Sequence, residues 1–243
     1  MNLLAFDTST EVLSIGVAAG AQLLLHSGAG GAQASFGLIA GAQSLLAQAG
    51  LAMPALDAVV FGAGPGSFTG LRTSCAVAQG LAMGAGVPVL PVNSLLAVAE
   101  DARQRTYPQA AALEVLALLD ARMDEVYAAW FGFAQGAWTQ RSDIQLCKPE
   151  AVQIDAAIEV LAGNVFAVYS GRVESACGAL PRPCVEALPT AQALLRLAPQ
   201  LLRLGLAVPP EEALPLYVRD KVAKTTAERL QEKAAAAAGV ACG

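Results

Sequence analysis

Within one stretch of eleven residues, Gly62-Ala-Gly-Pro-Gly-Ser-Phe-Thr-Gly-Leu-Arg72, lie four glycines and one proline. The apolar run Leu56 to Phe61 precedes it, and a small-residue stretch from Thr69 to Gly84 follows it. Glycine allows positive φ and close backbone approach, and proline stiffens a bend, so the run predicts a tight strand-to-helix turn. Ser67 or Thr69 would cap the helix. Converging amides at a helix start also suit an anion. The Gly-Lys-Ser/Thr ending of a P-loop is absent, since this chain has Gly70-Leu71-Arg72, and the dinucleotide pattern lacks its acidic residue. Spacing alone leaves a plain connection and a phosphate loop both open.

Hydrophobic residues make up 55% of the 243 and charged residues 14%, which excludes extensive disorder. The net charge of −5 comes with no basic cluster along the sequence, which argues against independent nucleic-acid binding. His26 to Asp57 carries no charged residue between its ends, but glycine, glutamine, serine and Pro54 interrupt it, so no membrane segment is expected. Five cysteines without a Cys-x-x-Cys pair predict reduced thiols and a cytoplasmic location.

Three strands are expected at Leu3 to Asp7, Leu13 to Val17 and Gln22 to His26, then a helix from Ser35 to Ala49. A strand at Ala58 to Phe61, a helix to about Gly84, a strand at Val87 to Val92 and a helix capped by Asn93-Ser94 complete the first half. The second half predicts strands at Val115 to Leu119, Glu125 to Phe131 and Ala137 to Ile144, and a helix opened by Pro149-Glu150 and running to about Leu161. A strand at Phe166 to Tyr169 and a helix from Thr190 to Leu204 follow. Three strands, helix, strand, helix thus occurs twice. The expected fold is α/β, a duplicated βββαβα arrangement in two subdomains, 1–106 and 107–243, with the seam near Arg103 to Pro108. Arg219 to Lys233 is charged at helical spacing and predicts a surface helix that packs back on the first subdomain.

The glycine motif (Gly64, Pro65, Gly66, Ser67, Phe68, Thr69, Gly70), the opening Leu3 to Glu11, Asp120-Ala-Arg-Met-Asp-Glu-Val-Tyr127 and Pro215-Leu-Tyr-Val-Arg219 together resemble the TsaB (YeaZ) family. The resemblance implies the actin-like fold (the actin, sugar-kinase and Hsp70 superfamily, ribonuclease H-like). It also implies a non-catalytic role in transferring a threonylcarbamoyl group to N6 of adenosine 37 in tRNAs reading ANN codons. Its implied partners are a TsaD-like catalytic paralogue and a TsaE-like ATPase, with tRNA held only through the complex; a homodimer of the isolated chain is left open. A small-molecule kinase or ATPase of the same superfamily is the alternative.

In that superfamily two polar loops face each other across a nucleotide cleft. Here they are Asp7, Thr8, Ser9 and Thr10, a degenerate phosphate loop with Asp7 placed to hold a hydrated metal, and Asp120 with Arg122. The second loop has no glycine to let amides converge. No tightly bound cofactor is therefore expected, with weak ATP or ADP binding left open. Asp124 stands where many relatives have glycine and adds negative charge at that edge. Catalytic relatives hold a metal with His-x-x-x-His on one helix face, and this chain has a single histidine, His26, so no metal site is expected. The helices Ser35 to Ala49 and Thr73 to Gly84 are free of charge, although a surface helix normally shows charges on its outer side. They predict a partner surface around Ser35, Ile39, Ala42, Leu45, Leu46, Arg72, Ala78 and Leu81.

Overall fold

The computed structural model describes residues 1–30, 34–175 and 182–219. The expected helix over Arg219 to Lys233 lies outside them, Arg219 excepted.

In the first half, β1 (Asn2–Asp7), β2 (Val12–Ala19) and β3 (Gln22–Ala29) form an antiparallel meander. Helix α1 (Ala34–Gln48) then crosses to β4 (Ala58–Gly64), and α2 (Phe68–Ala85) crosses to β5 (Val89–Asn93). Both β4 and β5 join in parallel, so the sheet order is β3-β2-β1-β4-β5. Strand β4 is buried along its whole length, as its unbroken apolar run requires with helices on both sides. Asn93 caps α3 (Ser94–Thr106) by accepting from the Leu95 amide at 2.9 Å.

The second half repeats this wiring. Strands β6 (Ala112–Arg122), β7 (Glu125–Ala134) and β8 (Ala137–Gln140) form the meander, and β10 (Val160–Gly163) and β11 (Cys184–Glu186) join β6 in parallel order. The order β11-β10-β6-β7-β8 matches that of the first sheet strand for strand, with β9 (Gln145–Cys147) as an extra partner of β7. The two-subdomain actin-like architecture is thus present at the level of topology.

The helices of the second half depart from expectation. Pro149 to Ala151 is a single 3-10 turn, not the start of a long helix. Asp155 accepts from the Ala157 amide at 2.8 Å, a local turn that competes with helix, and Val160–Gly163 pairs with β6 as a strand. Phe166 to Tyr169 turns instead of extending, and the short α4 (Arg172–Ser175) follows it. The one expected strand Ala137 to Ile144 ends at Gln140.

Helix α5 (Ala191–Arg203), capped by Thr190, lies with α3 between the two sheets; α5 packs on β1, β2 and β4, and α3 on β6 and β10. Their shared core includes Leu3, Val60, Leu95, Val98, Leu119 and Leu194. A second core lies under α1 and α2 on the outer face of the first sheet. The chain then returns to the first half. Val208 pairs with Val89, and the Leu216 amide donates to the Ala63 carbonyl at 2.7 Å. Residues 208–216 therefore lie against the first half, beyond the expected seam.

Candidate functional site

The ends of β1 and β6 meet at a cleft of about 370 Å³ between the halves, bounded by Ser9, Thr10, Gly66, Asp120, Asn164 and Arg219 among others. Both predicted loops reach it. Their internal bonding determines what they can offer a ligand.

The first loop is spent on itself. One Asp7 oxygen accepts from the Ser9 amide and hydroxyl, each at 2.7 Å, and the other lies 3.4 Å from the Ser94 hydroxyl. Asp7 is buried, and burial pushes its pKa up to about 6 against those hydrogen bonds. The Thr8 hydroxyl donates to the Gly70 carbonyl at 2.7 Å, and the Thr10 hydroxyl accepts from the Val12 amide at 3.3 Å.

The glycine motif explains why. A Cβ on Gly62 would lie 1.7 Å from an Asp7 oxygen, and one on Gly70 would lie 1.9 Å from the Thr8 carbonyl. The Ser67 amide donates to the Ser9 carbonyl at 2.8 Å, and Ser67 makes no side-chain cap on α2. Ser74 adds hydrogen bonds to the Gly62 and Gly70 carbonyls, each at 3.3 Å. The turn is a backbone-to-backbone joint that clamps the Asp7–Thr10 loop, and the polar groups of Asp7 and Thr8 face into that joint.

The second loop works differently. Arg122, Met123 and Asp124 have φ of 60°, 56° and 63° at the β6–β7 turn, a region that glycine favours and Asp tolerates. Asp120 accepts from the Arg122 amide and from the Tyr169 hydroxyl, each at 2.8 Å, and pairs with Arg122 at 3.1 Å. Burial, then Asp120, pushes the Tyr169 pKa up to about 12. The negative charge that Asp124 adds at the cleft edge is paired within the chain. Its carboxylate pairs with Lys148 at 3.0 Å and with Arg172, and hydrogen bonds from these cations, Arg172 first, hold it well below the usual carboxylate range.

Across the mouth, Arg72 lies 3.8 Å over the Phe68 ring and donates to the Tyr217 hydroxyl at 3.0 Å. Arg219 pairs with Glu125 at 2.5 Å and donates to the Ala121 carbonyl at 3.2 Å. Arg219 therefore ties the returning segment to the second half. Ser74, Asn164 and Tyr169 were not singled out in the sequence, and Ser94 only as a helix cap, because isolated hydroxyls and amides carry no spacing signal.

The charge-free helices lie side by side on the outer face of the first sheet, but the positions named from sequence need correction. Ala42, Leu45, Leu46 and Ala78 are buried in the subunit's own core and offer no surface, and Leu81 is half-buried against the same core. Ile39 and Arg72 are exposed. The outer face is formed by Ile39, Ala40, Gln43 and Ala47 of α1 and Ala76, Gly80 and Met83 of α2. Ser35 lies in the first turn of α1, and its side chain lies outside the described residues. Among the described helices none is long and apolar enough to cross a membrane.

The family model "TsaD: tRNA N6-adenosine threonylcarbamoyltransferase" matches residues 37–227. The tRNA threonylcarbamoyladenosine biosynthesis protein TsaB of Escherichia coli is 32% identical, over 92% of this chain and 96% of its own length. That of Haemophilus influenzae is 34% identical, over 91% and 95%. The solved structure of YeaZ from Pseudomonas aeruginosa superposes with a TM-score of 0.78 at 37% identity, covering 89% of this chain and 99% of that one. The duplicated sheets, the glycine joint and these likenesses together show that the chain belongs to the TsaB (YeaZ) family.

Proposed function

We propose that this chain is a non-catalytic subunit of the machinery that makes threonylcarbamoyl-adenosine on tRNA, and that it works in the cytoplasm by docking onto a TsaD-like catalytic paralogue through the outer face of α1 and α2. The observation that carries the reading is that face, which has no charged residue from Ser35 to Ala49 or from Thr73 to Gly84. Small residues at Ala40, Ala47, Ala76 and Gly80 permit close helix approach, and Ile39 and Met83 supply apolar area.

The cleft supports the same reading. Phosphoryl transfer needs amides and a metal-holding carboxylate that remain available to substrate. Here Asp7 and Thr8 are engaged within the chain, and the opposing loop holds an Asp120–Arg122 pair in place of a glycine cradle. That disfavours the kinase or ATPase alternative and leaves at most weak ATP or ADP binding. A TsaE-like ATPase would supply nucleotide turnover from another subunit.

Reconstitution tests the proposal. The purified chain alone is expected to show negligible ATPase and kinase activity, while the paralogue, the ATPase, tRNA and an activated threonylcarbamoyl donor should give full modification only when the chain is added. Turnover by the chain alone that disappears in Asp7→Ala, or full modification without the chain, would overturn it.

A further inference from the structure

At the end of β6 remote from the cleft, where Leu113 pairs with Phe133, there is a second concavity of about 280 Å³. Helices α3 and α5 and the β7–β8 hairpin enclose it with Glu100, Arg103, Phe133, Trp138, Arg196 and Arg203. Its floor is fully bonded. Trp138 Nε1 donates to Glu100 at 2.9 Å, and Arg103 reaches both oxygens of the same carboxylate at 2.9 and 3.0 Å. The Arg103 guanidinium lies 4.3 Å over the Phe133 ring, which in turn sits 5.2 Å from Trp138. Gln200 exchanges two hydrogen bonds, both of 3.3 Å, with the Trp138 backbone and locks the hairpin to α5.

That bonding engages both oxygens of the one carboxylate in the lining. Glu100 is bonded to Arg103, and its charge and that of Asp101 reach Arg196 only at a distance, which leaves Arg196 and Arg203 on the rim without a direct partner. They stand two turns apart on one face of α5, and both are exposed. Among the described residues neither makes an ion pair or a side-chain hydrogen bond. Three guanidinium groups therefore border a concavity with one carboxylate, in a chain whose net charge is −5. No basic cluster is visible along the sequence because α3 and α5 bring these arginines together from opposite halves. Guanidinium forks match phosphate oxygens geometrically and shed water more readily than ammonium groups.

We propose that this concavity is a phosphate-binding site, with Arg196 and Arg203 as the contacting groups over the Arg103–Glu100 floor, and that its occupant is a backbone phosphate of tRNA held by the assembled complex. The choice of tRNA rests on the subunit reading above; free phosphate presents the same chemistry. The site lies away from the α1–α2 face, so docking there leaves it open to RNA. One or two contacts of this kind are compatible with poor tRNA binding by the isolated chain, because affinity accumulates over many phosphates.

The test uses the complex of the full chain with its catalytic paralogue, carrying Arg196→Gln and Arg203→Gln together. Both residues are exposed, so melting temperature and assembly should match the wild type. The affinity for tRNA is expected to fall roughly tenfold, and the slope of log K against log salt to flatten by about one to two. Arg196→Lys with Arg203→Lys should recover most of the slope and part of the affinity. A second arm titrates the isolated chain with inorganic phosphate. Saturable binding lost in the Gln variant, with tRNA affinity unchanged in the complex, would assign the site to free phosphate and overturn the tRNA assignment. Unchanged tRNA affinity together with no phosphate binding would overturn the site itself. If the wild-type chain fails to assemble with the paralogue, the subunit reading fails, and the phosphate titration still decides the pocket.

Discussion

The two loops that face each other across the cleft occupy equivalent places in the duplicated topology, yet they are held by opposite means. Asp7 to Ser9 is buried, with Thr10 half-buried, and the loop is clamped from outside by a glycine turn that brings backbone within contact of backbone. Arg122 to Asp124 is a solvent-facing turn of three non-glycine residues at positive φ, steadied by side-chain charges from Lys148, Arg172 and Arg219. A close-packed backbone joint tolerates no added atom. A charge-held turn tolerates exchange, since each surface pair contributes little. The first loop should therefore be brittle and the second permissive.

The largest effect is expected at the joint. In Gly70→Ala the new methyl must displace the Thr8 backbone, which lies 1.9 Å from its position. A loss of about 3 kcal/mol or more should appear in chemical denaturation. A loss below about 1 kcal/mol would show that the joint yields and would remove the contrast.

Asp7 gives the next largest effect and reports on the joint through pH. Its folded pKa of about 6 lies above the ordinary 3.8, so its contribution is fully present below about pH 3.8 and is lost as pH rises through about 6. At about 1.4 kcal/mol per pH unit the shift is worth at most about 3 kcal/mol. Asp7→Asn should keep the Ser9 bonds through its amide oxygen and remove this dependence, so that at pH 8 it melts no lower than the wild type. A marked loss of stability at pH 8 would show that the carboxylate is needed as a charge.

Gly80 sits exposed in the middle of α2 with open space around its Cα. Gly80→Ala should stabilise the isolated chain by about 0.5–1 kcal/mol and weaken paralogue binding if close helix approach uses that position. A stabilised chain with unaltered binding would move the contact elsewhere on the face. The smallest effect belongs to the second loop. Asp124→Gly relieves the φ of 63° but gives up the pairs with Lys148 and Arg172, and the opposed changes should leave the melting temperature nearly unmoved.

Elements with strong local signals were legible from sequence. Alternation and turn residues placed β1, β2, β6 and β7, and Asn93 and Thr190 marked the starts of α3 and α5. The run Val160–Gly163 was not legible as a strand, because four apolar residues after Pro149 fit helix and strand equally well until they pair with β6. The two loops of the cleft could be located, but not their bonding. Whether Thr8 faces a ligand or the Gly70 carbonyl depends on a contact sixty-two positions away along the chain. In the same way charge absence identified α1 and α2 but not their faces. Apolar residues occur on every side of both helices, so Ala42 and Ala78 could not be told from Ala40 and Ala76.

That last distinction gives the most direct test of the central claim, that the outer α1–α2 face holds the catalytic paralogue. Ala40→Glu with Ala76→Glu places two charges on the exposed face, where stability should change by no more than about 0.5 kcal/mol per site. Ala42→Glu or Ala78→Glu, in the core, should unfold the chain. The measurement is the dissociation constant for the paralogue beside the melting temperature of each variant. The account predicts that Ala40→Glu with Ala76→Glu melts like the wild type and binds about a thousandfold more weakly, the cost of burying unpaired charge in an apolar interface. A normally melting variant that binds the paralogue with wild-type affinity would contradict it.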